Sequence, residues 1–468
     1  MKRAVVIGGG ITGLTAAFRL RELAAERESP LVVTVLEASR RAGGALLTIR
    51  RDGFIAEAGA DSFITDKPDA IDLARRLGLE NELIGTNTEN RGAFVVRSGR
   101  MVPIPEGFAL MAPGRLGPVM RSPIFSPLGK LRIALERFIP ARRIGDDESL
   151  ASFVRRRLGR EALDRLVQPL AGGIYVGDPE RLSMAASFAR FREMERQHGS
   201  LYRGVRRSVG PAAATGGVRY GLFASFRTGM GALTQRLEQR LGEGLMHDAA
   251  VAAVKRSDES WRLAMETGGE IEADAVICTV PAPAAARILA TVAPEASRDL
   301  AAIEYESSAV VNLAYDERDL TRPIGRFGAV VPAGEHRRIV ALSFSSLKFP
   351  GRAPAGQFLV RAFVGGAFNR AMLDFDDDRL IAEVRDELRA LVGIEAAPRM
   401  TAVNRWLGAM PQYHVGHLER VARIERETAG INGFAIAGAA LRGVGIPDCI
   451  AAGSVAAQTV FAALIESS

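Results

Sequence analysis

Residues 1–20, MKRAVVIGGGITGLTAAFRL, decide how the rest of the chain is read. An apolar run from Ala4 to Ile7 enters Gly8, Gly9 and Gly10, and Gly13 follows within an apolar-periodic stretch. The spacing predicts a strand over 3–7, a tight turn, and a helix over about 12–27. In Gly8-x-Gly10-x-x-Gly13 the first glycine permits the turn and the second lets a pyrophosphate approach the backbone. The third lets the helix pack on the strand. The N–H groups and positive dipole end of the helix then face the phosphates. The candidate phosphate turn is Gly8, Gly9, Gly10, Ile11, Thr12 and Gly13; by itself the pattern also fits a tight turn that binds nothing.

A second strand, LVVTVLEAS, runs to Glu37 and Ala38, with Glu37 placed 24 residues past Gly13. A carboxylate there accepts the hydroxyls of an adenosine ribose and opposes a 2′-phosphate. Later residues choose between a nicotinamide and a flavin dinucleotide. Gly43 and Gly44 in EASRRAGGALLT offer the second backbone approach that a ribityl chain needs. EAGADSF, residues 57–63, adds a glycine turn with Asp61 and Ser62 as polar partners. Near the C-terminus Gly443, Gly445 and Pro447 precede a helix expected to begin near Asp448, and its N-terminus would face the flavin N1–C2 edge. Its plainer reading is an ordinary helix start with proline in the first turn. FAD is the expected cofactor.

With 468 residues the chain exceeds one ordinary domain. A hydrophobic fraction of 47% and a charged fraction of 25% fit a globular protein with a sizeable core. The net charge of +7 admits nucleic acid, a membrane surface or an acidic small substrate. Sparse aromatics, 6%, and no RNP-like or zinc-finger pattern argue against nucleic acid. Cys278 and Cys449 make no disulfide framework or metal spacing, and Cys278 in AVICTVPA reads as buried strand. That usage fits a reducing, cytoplasmic setting. The opening is not leader-like, and no uninterrupted apolar run reaches the roughly 18 residues of a membrane span.

Composition divides the chain further. Residues 1–88 alternate strand and helix signals, including a helix in KPDAIDLARRLGLENEL with Gly78 as its C-cap. Residues 106–205 carry proline- and glycine-punctuated apolar-basic pieces. Two amphipathic stretches follow, SLASFVRRRLGREALDRLVQPLAGGIY and SMAASFARFREMERQHGSLYRGV. GPAAATGGVRYG reads as a flexible link. The expected fold is α/β, with a discontinuous Rossmann-like FAD-binding domain (1–88, 222–300, 403–468). A mixed-sheet substrate domain (89–105, 206–221, 301–402) and a helical insertion (106–205) complete it.

Five segments then resemble one family: GGGITGLTAAFRL, EAGADSFIT, LAGGIYVGDPERLSMAASF, NRWLGAMPQYHVGHLERV and GVGIPDCIAAG. They are similar to the protoporphyrinogen/coproporphyrinogen III oxidases, a branch of the amine-oxidase-like FAD flavoproteins. The likeness runs the length of the chain, and the three internal segments are specific to the branch. It implies non-covalent FAD, a porphyrinogen substrate, hydride transfer to flavin N5, oxygen as terminal acceptor and peroxide as product. No side-chain acid or base is implied. The carried-over FAD contacts are Glu37 and Ala38 at the ribose, and Arg41, Gly43 and Gly44 along the dinucleotide. Gly59, Ala60, Asp61 and Ser62 line the ribityl side, and Val251 meets the adenine. Trp406, Val444, Gly445, Ile446 and Pro447 flank the isoalloxazine. Ala45 and Ala60 depart from the family, which often carries a basic residue and a proline there.

The resemblance also nominates substrate contacts. Lys67 is a candidate partner for a propionate, against the reading of a surface lysine at a helix start. Ile174 and Phe363 are candidates to sandwich the macrocycle, against plain core packing. His414 and His417, three apart, have no carboxylate or cysteine company, so no metal is expected. Residues 108–142 mix Phe, Leu and Met with Arg and Lys, as a membrane-surface face or a helical lid would. Basic balance leans the substrate toward coproporphyrinogen III, with protoporphyrinogen IX as the alternative. A downstream heme-pathway enzyme is a further candidate partner. A flavin amine oxidase would carry an aromatic cage at the C-terminal loop, and AALRGVGIPD has no Tyr or Trp. A non-catalytic porphyrin carrier stays open.

Overall fold

The computed structural model describes residues 1–142, 147–208, 222–257, 260–321 and 323–466. The strand Lys2–Ile7 feeds two cores. Ala4 and Val6 join one with the helix Ile11–Glu26 and the C-terminal helix Ile446–Glu466, and Val5 and Ile7 join another on the opposite face. A strand buried on both faces belongs inside a parallel sheet. That sheet runs Leu245–Met246, Leu31–Leu36, Lys2–Ile7, Ala275–Cys278, Phe434–Ile436, all parallel. Its strands come from the start, the middle and the end of the chain, as the discontinuous Rossmann-like expectation requires.

The C-terminal helix is long and apolar enough to cross a membrane by length and composition. Its Ile450, Ala457 and Val460 are nevertheless buried in the first core. A Cβ on its Gly453 would lie 2.3 Å from the Thr12 carbonyl oxygen, so the two helices touch backbone to backbone. The helix begins at Ile446, two residues before the expected Asp448.

A second, mixed sheet has seven strands, in the order Met400–Pro411, Tyr305–Asp316, Gln357–Gly365, Ala341–Phe344, Gly328–Val330, Phe94–Arg97, Arg100–Pro103. The 402/403 boundary falls inside its edge strand Met400–Pro411. Alternate residues serve opposite faces. Val311, Leu313, Val360 and Ala362 pack on the helix Asp377–Val392. Ala314, Leu359 and Met400 pack on Phe54 and Ala56 of the hairpin Thr48–Arg51 and Phe54–Glu57. The second face therefore looks toward the hairpin 48–57 and the segment that follows it.

The described residues of 106–208 are mainly helical around a third core. The two long amphipathic stretches do not form single helices. Gly159, at φ +92°, ends Leu150–Arg157, and a π-helical turn Leu163–Val167 precedes Gln168–Tyr175. Gly199, at φ +68°, stops Ala189–His198. Apolar periodicity continues through these positions, but a left-handed glycine terminates the helix. The expected link GPAAATGGVRYG lies outside the described residues.

Candidate functional site: a dinucleotide cradle against the mixed sheet

The glycine turn is built by close approach. Gly8, at φ +106°, donates its N–H to the Leu36 carbonyl at 2.8 Å. A Cβ on Gly13 would lie 1.9 Å from the Gly8 carbonyl oxygen, so only glycine seats the helix on the strand here. Gly10 differs: at φ −71° its backbone suits any residue, and a Cβ there would meet no protein atom within 4 Å. The helix it opens has no side-chain cap and no acidic residue in its first turn. The N–H groups of Ile11, Thr12 and Gly13 thus lack intrahelical acceptors. An open cradle beside uncapped N–H groups fits a pyrophosphate.

The second glycine pair leans on the first. Gly43 N–H donates to the Gly9 carbonyl at 2.7 Å, and Gly43 and Gly44 sit at φ +95° and +55°. Arg41 folds over this pair, donating to the Ala42 and Gly44 carbonyls at 2.7 and 2.6 Å. It braces the turn from within the chain. Glu37 Oε2 accepts the Gly9 N–H at 2.7 Å, and Oε1 accepts the Ser39 N–H and hydroxyl at 2.9 and 2.7 Å. A carboxylate accepts about four hydrogen bonds, so one position stays free. Ser39 Oγ also lies 2.7 Å from the Arg41 carbonyl, an alternative acceptor that would release Oε1 for a ribose diol. Ala38 is exposed beside Glu37. The Glu37 carbonyl accepts the Ala249 N–H at 2.8 Å, which brings Val251, buried, to the same strand end.

Glu57–Ser62 connects the hairpin to the mixed sheet. A Cβ on Gly59 would lie 1.9 Å from the Ala45 carbonyl oxygen, so this turn presses on the residue after the glycine pair. Trp406, half-buried, donates Nε1–H to the Ala58 carbonyl at 2.7 Å. Asp61 pairs with Lys348 at 2.9 Å and Arg361 at 3.0 Å. Burial pushes the Asp61 carboxyl up, but the two cations prevail and hold it well below the usual carboxylate range. Burial raises the Glu57 carboxyl, with Arg352 opposing.

The loop 438–447 is held from below by Tyr413. Its hydroxyl donates to the Ala439 carbonyl at 2.5 Å and accepts the Gly443 N–H at 2.8 Å. His417 stacks on Tyr413 with ring centroids 4.1 Å apart and donates Nε2–H to the Leu441 carbonyl at 2.8 Å. His417 is thus placed by packing and this bond, while His414 Nδ1 lies 3.8 Å from Glu304 Oε1, and among the described residues no group of three or more His, Cys, Asp or Glu could hold a metal. Val444 packs on the helical core, Gly445 precedes the C-terminal helix, and Ile446 and Pro447 open it. Lys67 is paired with Asp448 in the first turn of that helix, so a propionate at Lys67 would compete with a carboxylate already in place. Ile174 is 44% exposed near the end of its helix, and Phe363 is half-buried on the site face of the sheet. The Val176 carbonyl accepts the Ala367 N–H at 2.9 Å, which ties the end of the Ile174 helix to the chain just past the Phe363 strand. Arg361, Asn312, Lys348 and Tyr413 were not foreseen. The available signal was Asn312 and Arg361 interrupting the apolar runs AVVNLAY and FLVRAFV.

The chain belongs to the flavin containing amine oxidoreductases, whose family model matches residues 11–461. Within that class it is 35% identical to the coproporphyrinogen III oxidase of Bacillus subtilis (strain 168), over 97% of both chains. It is 29% identical to a chloroplastic protoporphyrinogen oxidase of Nicotiana tabacum, over 95% of this chain and 83% of that one. A crystal structure from Exiguobacterium sp. 255-15, assigned as a protoporphyrinogen oxidase, superposes with a TM-score of 0.86 at 31% identity, over 98% and 99% of the two chains.

Proposed function

We propose that this protein is a porphyrinogen oxidase of heme synthesis, with coproporphyrinogen III as substrate and coproporphyrin III as product. FAD is its cofactor and, when bound, supplies the two-electron acceptor at flavin N5. Gly8–Gly13, Gly43, Gly44 and Glu37 hold the dinucleotide, and Gly59–Ser62 and Val444–Pro447 face the flavin. Trp406 orients the 57–62 segment through the Ala58 carbonyl. Phe363 and Ile174 flank the macrocycle. Successive two-electron steps carry the electrons to oxygen, which leaves as hydrogen peroxide. The observation that carries this reading is full-length identity of 35% to a coproporphyrinogen III oxidase, joined to the open cradle at Gly10.

The test is anaerobic. Coproporphyrinogen III is expected to bleach the bound flavin faster than protoporphyrinogen IX does. The reverse order would make the protein a protoporphyrinogen oxidase. Bleaching by amines alone, or by nothing, would replace the reading with an amine oxidase or a carrier.

A second reading rests on the exposed apolar face. Leu128, Leu131, Leu135 and Phe138 are 78%, 54%, 44% and 66% exposed on successive turns of 127–138, with Arg137 lying over the Phe138 ring. This face suits a cytoplasmic enzyme that touches an anionic membrane surface and passes a porphyrin to a downstream heme-pathway enzyme. The protein is expected to sediment with phosphatidylglycerol vesicles at low salt, and Leu128→Glu with Phe138→Glu to stay in the supernatant. Equal sedimentation of both would discard the membrane contact.

A further inference from the structure

The segment 57–61 is fastened by Trp406 and, beyond it, by Asn312 and Arg361, two side chains that neither the sequence pattern nor the proposed chemistry accounts for. Three successive carbonyls each accept from a different strand of the mixed sheet. Asn312 Nδ2 donates to the Glu57 carbonyl at 3.2 Å, Trp406 Nε1 to the Ala58 carbonyl at 2.7 Å, and Arg361 Nη2 to the Gly59 carbonyl. The three strands are neighbours, with Asn312 opposite Arg361 and Ser308 opposite Trp406. Arg361 also pairs with Asp61, which Lys348 holds as well. Arg361 is 1% exposed and Asn312 fully buried. Burying a guanidinium and an amide is costly, the more so as Arg361 Nε and Asn312 Oδ1 find no partner, and a loop needing only stability could have been packed with apolar groups.

Arg361 has a second connection. Phe363 lies two residues along the same strand, hence on the same face, and the guanidinium carbon sits 5.0 Å from its ring centroid. One side chain thus touches the segment assigned to the cofactor and the ring assigned to the substrate.

We infer that Arg361 is a positioning residue that sets the Gly59–Asp61 turn and the Phe363 wall together, so that FAD and porphyrin each bind better when the other is present. The inference rests on the proposed function. Both ligands need the same arrangement of one loop and one sheet face, and the ligand that arrives first bears the cost of ordering it.

The experiment titrates FAD into apo-protein by flavin fluorescence, with and without the air-stable product coproporphyrin III. In wild type, coproporphyrin is expected to tighten FAD binding by about fivefold or more. Arg361→Gln is expected to weaken FAD binding about tenfold, from loss of a charge-assisted bond, and to abolish the porphyrin effect. Arg361→Lys keeps the charge opposite Asp61 and is expected to recover part of both. FAD affinity in Arg361→Gln within twofold of wild type, or a porphyrin effect that survives the substitution, overturns the inference. If coproporphyrin fails to bind wild type, the proposed function falls, and FAD affinity alone still decides whether Arg361 positions the turn. Should Arg361→Gln not fold, Arg361→Lys serves in its place: it loses the guanidinium fork that reaches both the Gly59 carbonyl and Asp61, and FAD affinity and porphyrin effect both at the wild-type level there also overturn the inference.

Discussion

Gly10→Ala is expected to leave the apo-protein folded and nearly as stable as wild type, while FAD binding weakens by about fivefold to a hundredfold. The backbone at Gly10 suits alanine, and the new methyl would meet no protein atom within 4 Å. Only the ordinary glycine-to-alanine difference at an N-cap remains, about 1 kcal/mol or less. The methyl instead occupies the space beside the uncapped N–H groups, where overpacking against a pyrophosphate costs about 1–3 kcal/mol. Gly13→Ala is the contrasting variant. Its methyl would sit 1.9 Å from the Gly8 carbonyl oxygen, so the helix must leave the strand. Stability and FAD binding should then fall together. Thermal melts of the two apo-variants, with fluorescence titration of FAD, separate the cases. If Gly10→Ala binds FAD as wild type does, the cradle does not hold the pyrophosphate.

His417 is expected to cost the folded protein about 2 kcal/mol of stability between pH 7 and pH 5, and His417→Gln to lose that much less over the same interval. His417 is fully buried, donates Nε2–H to Leu441, and keeps a buried Nδ1 with no partner. Burial pushes its pKa from 6.5 down to about 4. Protonation would place a second N–H where nothing accepts it. Below about pH 6.5 the unfolded chain takes up this proton, and the folded chain refuses it until about pH 4. The unfolded state therefore binds more protons across that window, and stability declines as pH falls, by about 3 kcal/mol in total. Glutamine offers a donor to Leu441 and does not titrate. Denaturant unfolding of both proteins at the two pH values measures the difference, and equal losses would clear His417 of the role. Because Tyr413 and His417 hold the loop 438–447, FAD release should precede global unfolding on acidification.

What the sequence determined by itself is the local geometry of the glycine turns beside the parallel sheet. A glycine turn is local: whether Gly8 and Gly43 must enter the left-handed region is settled within a few residues. Glu37 is legible for the same reason, since it ends the strand beside that turn. Periodicity likewise announced the parallel sheet and the helical segment, although it ran through Gly159 and Gly199, where a single residue's φ outweighs the apolar pattern. The tertiary structure alone decided what stands behind the segment 57–61. Asn312, Lys348 and Arg361 lie some 250 to 300 residues from the carbonyls and carboxylate they hold. Only the order and register of the mixed sheet bring them there. In sequence a buried arginine within FLVRAFV looks like an interrupted core strand, because alternation says which face a side chain takes but not what waits opposite it. Lys67 makes the same point: the sequence offered a propionate partner or a surface lysine, and the fold supplied Asp448 from 381 residues away. Local backbone geometry is written residue by residue, whereas the pairing of buried charges is fixed only when distant strands meet.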